Sequence, residues 1–223
     1  MASPRASISA IPQFAARGAA AFAALAILLL ASLHVLQPDL APATSMISQY
    51  SIGHPHGWVM NACFASFAVA SLFLLVALTG QATSILGRVG LFFLLAAAVG
   101  SACGGLFNMD PTTTQQSEMS FSGQMHGLAF MIGVPGELLA VLLLSLALRR
   151  QAPWKGAPLL VIAAVVWISL VIMAVSLISW MQAGATGPAI FGWPNRGFMI
   201  AYAVWMILAA WPLAQRERLA AAA

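Results

Sequence analysis

Residues 86–107 read LGRVGLFFLLAAAVGSACGGLF, and their only charged side chain is Arg88, close to the beginning. A helix needs about 20 mostly apolar residues to cross a hydrocarbon core that is about 30 Å thick, and this stretch is long enough. Backbone polar groups in a bilayer must pair within their own segment. The stretch from Leu86 to Phe107 is therefore predicted to be a transmembrane helix.

Five other stretches have the same composition. Of the 223 residues, 61% are hydrophobic and 6% are charged, whereas about a quarter are charged in an average soluble protein. The sequence therefore predicts an all-α transmembrane bundle of six helices, with residues 1–223 forming one domain. The other five predicted helices are Phe14 to Leu36, Trp58 to Leu78, Met125 to Leu148, Ala157 to Trp180 and Arg196 to Leu213.

The first stretch has an alternative interpretation as a signal peptide. Arg5 and Arg17 precede its apolar run, and residues 41–43, Ala-Pro-Ala, loosely resemble a cleavage site. The run is longer than an ordinary signal core, and the proline inside the site argues against cleavage. We therefore expect a first transmembrane helix, and its cleavage stays an open alternative.

The basic residues alternate between the two sides of these stretches. Eight of the nine fall on one side, which is expected to be cytoplasmic because short loops rich in Lys and Arg are retained there. Both termini are then inside, and the protein is expected in the plasma or inner membrane. The bases form no run, so the partner they indicate is the lipid bilayer and not a nucleic acid. The eight are Arg5, Arg17, Arg88, Arg149, Arg150, Lys155, Arg216 and Arg218.

Small residues spaced by four occur in the third stretch, at Gly100 and Gly104 and at Ser101 and Gly105. Such spacing lets helix backbones approach closely in lipid, and we expect it to serve packing inside the bundle. The two cysteines both lie in apolar stretches and indicate neither a disulfide framework nor a metal site. We expect no cofactor, and the sequence does not indicate an oligomeric state.

The remaining ionisable groups concentrate on the predicted outer side. This clustering makes the outer mouth of the bundle the candidate functional region. Its members are His34, Asp39, His54, His56, Asp110, Glu118, His126 and Arg196.

Arg196 is the one base on the predicted outer side. It also opens the sixth predicted helix, where the helix dipole disfavours positive charge. We therefore expect an acidic partner, Asp110 first and Asp39 or Glu118 next. Two interpretations stay open: an ion pair that fixes the outer loops, or a guanidinium that binds a phosphate or carboxylate.

His126 and Glu137 are eleven residues apart, close to three helical turns, so they share one helix face with Phe130 and Gly133. Glu137 then lies about 16 Å deeper than His126. A charged carboxylate at that depth costs about 2.5–3.5 kcal/mol, so we expect Glu137 to face the bundle interior uncharged or to carry protons. Its neutral partners are expected among Ser101, Ser169 and Ser176, and a purely structural role stays open.

Other chemistry is weakly indicated. His54-Pro55-His56 with Asp39 and Asp110 offers possible metal ligands, but no helix or strand fixes the two rings, and no metal site is predicted. Ser48 and Ser122 lie near histidines in the sequence, but the Gly-x-Ser-x-Gly pattern of a serine hydrolase is absent. The candidate catalytic pair is therefore His126 as base with Asp110 as its orienting group.

The order of several short motifs resembles a bacterial and archaeal family of membrane proteins, domain of unknown function 998. This resemblance implies a six-helix bundle whose polar residues His34, Asp110, His126 and Arg196 gather at one mouth, and it implies no reaction. The motifs are His34 with Pro38, Ile47 to Gly53 (ISQYSIG), Phe107 to Pro111 (FNMDP), Gly123 to His126 (GQMH) and Asn195-Arg196.

Three functions follow as hypotheses. In the first, an outer-leaflet site binds or processes an anionic lipid headgroup, with Arg196, His34 and Asn108 binding it and the pair of His126 and Asp110 acting on it. In the second, a small-solute or proton-coupled transporter uses Glu137 as its proton carrier. In the third, the protein is a non-catalytic membrane subunit.

Overall fold

The computed structural model describes residues 5–112, 114–184 and 190–215, without the side chains of residues 5–9. Arg216, Arg218 and the side chain of Arg5 therefore lie outside the described part. Within it are six α-helices, each long and apolar enough to cross a membrane, and no strand. The predicted six-helix membrane bundle is confirmed. The helices are α1 (Arg5–Leu36), α2 (Gly57–Leu78), α3 (Ile85–Leu106), α4 (Phe121–Leu148), α5 (Pro158–Gln182) and α6 (Gly192–Ala214).

Two helices begin about one turn earlier than their apolar runs predict, and this changes the position of two candidate residues. The side chain of Ser120 caps α4 by accepting a hydrogen bond from the backbone N–H of Gly123 at 3.0 Å, as Ser commonly does at a helix start. The backbone N–H of Gly192, the first residue of α6, donates to the carbonyl of Ala43 at 2.9 Å. His126 and Arg196 therefore lie in second helical turns and do not open their helices.

The six helices form a closed ring in sequence order. Each packs against the next one along the chain, α6 returns to α1, and α2 also contacts α6 across the ring. The seam between α4 and α5 is the least extensive of these neighbouring contacts. Because α4 stands away from α5 there, space is left between them.

The small residues of α3 pack against two different neighbours. A Cβ atom on Gly100 would lie 2.6 Å from the backbone nitrogen of Gly133 in α4, and one on Gly105 would lie 3.0 Å from the carbonyl oxygen of Asn61 in α2. A Cβ atom does not fit at Gly100 and would be unusually tight at Gly105, so each glycine allows a close approach of two helix backbones. The expected packing inside the bundle is confirmed.

The two ends of the bundle differ in charge. We call the end with the loops 37–56 and 107–120 the histidine end, and the end with the loops 79–84 and 149–157 the arginine end. Arg17 belongs to the arginine end, because its Nε atom donates to the carbonyl of Ala214 at the end of α6, at 3.2 Å. Of the bases whose side chains are described, Arg196 alone lies at the histidine end.

Candidate functional site

A cavity of about 400 Å³ lies between α3, α4, α5 and α6 and opens toward the histidine end. Its lining is mainly apolar and includes Phe64, Met173 and Phe198. Along α4 it extends from Gly123 to Glu137, so it ends near the middle of that helix. This cavity is the candidate site.

The predicted face of α4 is the wall of the cavity. His126, Phe130, Gly133 and Glu137 all line it, as their helical spacing predicts. His126 is near the mouth and Glu137 is at the floor, about 16 Å apart at 1.5 Å per residue. The sequence prediction of this shared face is confirmed.

At the mouth, His126 forms a hydrogen-bonded pair with Ser48. The Nδ1 atom of His126 lies 2.8 Å from the carbonyl oxygen of Phe107, and Nε2 lies 3.2 Å from the hydroxyl oxygen of Ser48. A carbonyl oxygen can only accept, so Nδ1 carries the proton, and Nε2 accepts from the Ser48 hydroxyl. Both residues line the cavity. The sequence did not predict this pair, since no motif links positions 48 and 126.

Asp110 is close to His126 in the fold but does not orient it. Its carboxylate accepts from the backbone N–H of Ser120 at 2.7 Å and from the hydroxyl of the same residue at 2.8 Å. A Cβ atom on Gly123 would lie 2.6 Å from the Asp110 Cγ, so the carboxylate lies against the first turn of α4, where the helix dipole stabilises negative charge. The predicted role of Asp110 as the group that orients His126 is wrong, because the carbonyl of Phe107 accepts the hydrogen bond of the imidazole.

Glu137 is buried at the floor of the cavity, with 4% of its surface exposed. Ser101 donates to its Oε1 atom at 3.4 Å, and Oε2 has no hydrogen-bond partner among the described residues. The predicted inward orientation and the predicted partner Ser101 are confirmed. Ser169 lies instead beside Gly197 on α6, 3.2 Å from where a Cβ atom would be.

Arg196 is bonded to neutral acceptors instead of an acid. It is 2% exposed, and its Nη1 atom donates to the carbonyl oxygens of Ser45 at 2.7 Å, Pro42 at 3.0 Å and Gly192 at 3.1 Å. No carboxylate accepts from it within the part of the chain that is described. The predicted ion pair with Asp110 is wrong, because backbone carbonyls supply the negative potential that stabilises the guanidinium.

His34 and Tyr50 complete this shell of acceptors, which we call the arginine cage together with Pro42, Ser45 and Gly192. The Nε atom of Arg196 donates to Nε2 of His34 at 2.8 Å, and Nη2 donates to the hydroxyl of Tyr50 at 2.9 Å. The Nδ1 atom of His34 lies 2.9 Å from the carbonyl of Leu30 and therefore carries the ring proton. Both nitrogens of His34 are thus engaged within the protein.

The four polar residues that the sequence placed at one mouth fall into two groups. Asp110 and His126 are among the described residues that line the cavity, whereas His34 and Arg196 are not. The second pair instead holds the loop that carries Ser48. Next to it, Asn195 accepts from the backbone N–H of Ile47 at 2.9 Å and also lines the cavity.

The other predicted candidates lie apart from the cavity. Asn108 is not among the residues that line the cavity. Its backbone carbonyl accepts from the Ser122 hydroxyl at 2.9 Å, and its buried Oδ1 atom has no hydrogen-bond partner among the described residues. His54 and His56 belong to no group of three or more His, Cys, Asp or Glu side chains that could hold a metal, within the described ranges.

The family model described as protein of unknown function, DUF998, matches residues 18–212. The chain belongs to the DUF998 family. The matched range includes all of α2 to α5, most of α1 and α6, and every residue of the cavity, so this DUF998 protein is an integral membrane protein whose family name assigns no activity. No curated protein and no solved structure matches the chain.

Proposed function

We propose that this DUF998 protein binds a lipid-like amphiphile, with the apolar chain in the cavity and the polar headgroup at the histidine end. In this proposal the protein lies in the plasma or inner membrane, and the histidine end faces outward. The single observation that carries the proposal is an apolar cavity inside a membrane bundle that has polar groups at its mouth. Its volume falls within the range of about 300–1,000 Å³ that is usual for small-molecule sites.

Access from the bilayer supports a lipid in particular. Gly127 and Phe130 line the cavity, yet both belong to the exposed face of α4, where Phe130 is 48% exposed. Leu177 of α5 lies across from them on the same cavity. An opening between α4 and α5, at their least extensive seam, would let an acyl chain enter sideways from the membrane.

The headgroup is best bound by hydrogen bonds. The guanidinium of Arg196 has its partners in the arginine cage, so an anionic headgroup does not have that cation available. The polar groups on the cavity mouth include Ser48, Asp110, His126 and Asn195. We therefore expect a headgroup with hydroxyl or ester groups, and anionic, zwitterionic and uncharged lipids should be compared.

A cavity-filling substitution tests the proposal. A Cβ atom on Gly127 would meet nothing within 4 Å, so Gly127→Phe can place its ring in the cavity without a backbone clash. Purified protein with this substitution, in nanodiscs, should no longer bind a fluorescent fatty acyl lipid. Leu128→Phe is the matched control, because Leu128 is 50% exposed on the lipid side of α4 and should bind as the unaltered protein does. Equal binding by both variants would contradict the proposal.

A proton-coupled transporter is the second candidate, and the unpartnered carboxyl oxygen of Glu137 favours it. Transport requires a path to both ends, and the described cavity goes no deeper along α4 than Glu137. In proteoliposomes, a proton flux that Glu137→Gln abolishes would favour transport. Lipid binding that survives the same substitution would favour the lipid site.

A further inference from the structure

We propose that Ser48 is a nucleophile activated by His126, and that the protein cleaves an acyl ester of the amphiphile it binds. This inference rests on the proposed function, because the acyl chain in the cavity brings its ester to the mouth. The reaction class is acyl transfer to water or to another hydroxyl. Four sets of contacts at the mouth support it.

The first contact joins nucleophile and base. The Ser48 hydroxyl oxygen and the His126 Nε2 atom are 3.2 Å apart. This distance is at the upper end of the range for a nucleophile and its base, and such distances are often longer when no substrate is bound. Because Nδ1 carries the ring proton, Nε2 is free to take the proton of the serine. The pair therefore has the arrangement that nucleophilic catalysis needs.

The second contact orients the base. Nδ1 of His126 donates to the carbonyl of Phe107 at 2.8 Å, and the ring of Phe64 packs edge-on against the imidazole with centroids 6.0 Å apart. This carbonyl fixes the tautomer and the direction of the ring, which are two of the roles of the carboxylate in a catalytic triad.

The third and fourth contacts position the nucleophile. Ser48 lies in a short 3-10 helix, Ile47–Ser51, between the arginine cage and Asn195. The carbonyl of Ser45 and the hydroxyl of Tyr50 are bonded to Arg196, and the N–H of Ile47 is bonded to Asn195. Arg196 is thus a positioning residue for Ser48 and touches no substrate.

Asn195 also provides a hydrogen-bond donor for the negative charge that develops on the ester carbonyl oxygen during the attack. Its Oδ1 atom accepts from the N–H of Ile47, so the donor end of this side chain is its Nδ2 amino group. The Asn195 side chain lines the same cavity as Ser48. A donor fixed in this way can stabilise the oxyanion of a tetrahedral intermediate.

The chemistry balances with water as co-reactant. The Ser48 oxygen attacks the ester carbonyl carbon while its proton moves to Nε2 of His126. The bond from that carbon to the alcohol oxygen breaks, the alcohol leaves with the proton from His126, and an acyl ester remains on Ser48. Water then gives a proton to His126 and attacks the acyl carbon. The bond from that carbon to the Ser48 oxygen breaks as His126 returns the proton to this oxygen, which releases a carboxylic acid and restores the Ser48 hydroxyl.

An alkyl fluorophosphonate, which forms a covalent bond with activated serines, tests the inference on the full chain in nanodiscs. Mass spectrometry of the unaltered protein should find the modification on Ser48, a result that does not depend on any variant folding. Ser48→Ala should abolish labelling, and His126→Gln should slow it by about 100-fold or more, the usual contribution of a general base. Ser122→Ala is the matched control, because that hydroxyl is bonded to the carbonyl of Asn108 and should not affect labelling.

The outcomes separate this inference from the proposed function. If the unaltered protein binds the fluorescent lipid but Ser48 stays unmodified, the acyl-transfer proposal is wrong and the lipid site stands. If neither lipid nor probe binds, both proposals fail. Labelling of Ser48 that is equally fast in His126→Gln would show that the histidine is not its base, and it would overturn the pair.

Discussion

Arg196 has only 2% of its surface exposed, and its charge is stabilised there by the dipoles of the groups that accept its hydrogen bonds. Three backbone carbonyls, an imidazole nitrogen and a phenol oxygen accept from its guanidinium. Burying a charge without such partners costs several kcal/mol. The planar fork of arginine directs its donors toward fixed positions, so this one residue joins the end of α1, the loop 37–56 and the start of α6.

Replacing Arg196 should therefore unfold this corner of the protein. We expect Arg196→Ala to lower the free energy of unfolding by at least about 3 kcal/mol, because each hydrogen bond to a charged group contributes about 1.5–3 kcal/mol. Arg196→Lys should recover only part of that loss, since an ammonium lacks the fork. The melting temperature in detergent measures both, with Arg150→Ala, an exposed position at the arginine end, as the control. Equal melting temperatures for all variants would contradict the cage.

Glu137 is predicted to be uncharged at neutral pH. Its nearest polar contact is the hydroxyl of Ser101, and no base is bonded to it among the described residues. Glu137→Gln keeps the shape and the hydrogen-bonding groups, so the melting temperature should hardly change. Infrared spectra should lose a protonated carboxyl band in this variant. Loss of a carboxylate band instead would show that Glu137 is ionised.

At the scale of the helices, packing depends on how closely α3 approaches its neighbours. Gly100 and Gly104 are one turn apart on α3, and both are buried. A Cβ on Gly100 would meet the backbone of Gly133, whereas one on Gly104 would meet the ring of Phe64 at 3.7 Å, an ordinary contact. The same substitution should therefore have opposite consequences at the two positions.

We expect Gly100→Ala to destabilise the protein by about 1–3 kcal/mol, the usual cost of overpacking. Gly104→Ala should be neutral or stabilising by up to about 1 kcal/mol, because alanine favours the helix. Thermal unfolding of the two variants in the same detergent measures the difference. The prediction fails if Gly104→Ala is the more damaging of the two.

The helices were predictable from sequence, and the loop contacts were not. Apolar runs of about 20 residues have a direct physical cause, the thickness of the bilayer, so all six helices were found. The helical period also placed His126 and Glu137 on one face. The cage around Arg196 consists largely of backbone carbonyls, which every residue has, and the contact between Ser48 and His126 depends on how a loop folds. Neither leaves a pattern in the sequence.

For the whole molecule, the distribution of charge between its ends determines the orientation we expect. Arg17, Arg88, Arg149, Arg150 and Lys155 all lie at the arginine end. Arg196 lies at the opposite end, where it is buried within the arginine cage. Its charge is therefore shielded in the folded protein, and the difference between the two ends at the surface is greater than the sequence alone suggests.

The arginine end is accordingly predicted to face the cytoplasm, with the loops 37–56 and 107–120 outside, because basic loops are retained inside. Cysteines introduced at Ser117 and Ala152, which are exposed at the histidine and arginine ends, test this orientation. A membrane-impermeant maleimide on intact cells should label Ser117→Cys and not Ala152→Cys, and both should react after the membrane is opened. The unaltered protein gives the background, since Cys63 and Cys103 lie within helices. The reverse pattern would place the cavity mouth in the cytoplasm, and the amphiphile would then have to enter from the inner leaflet.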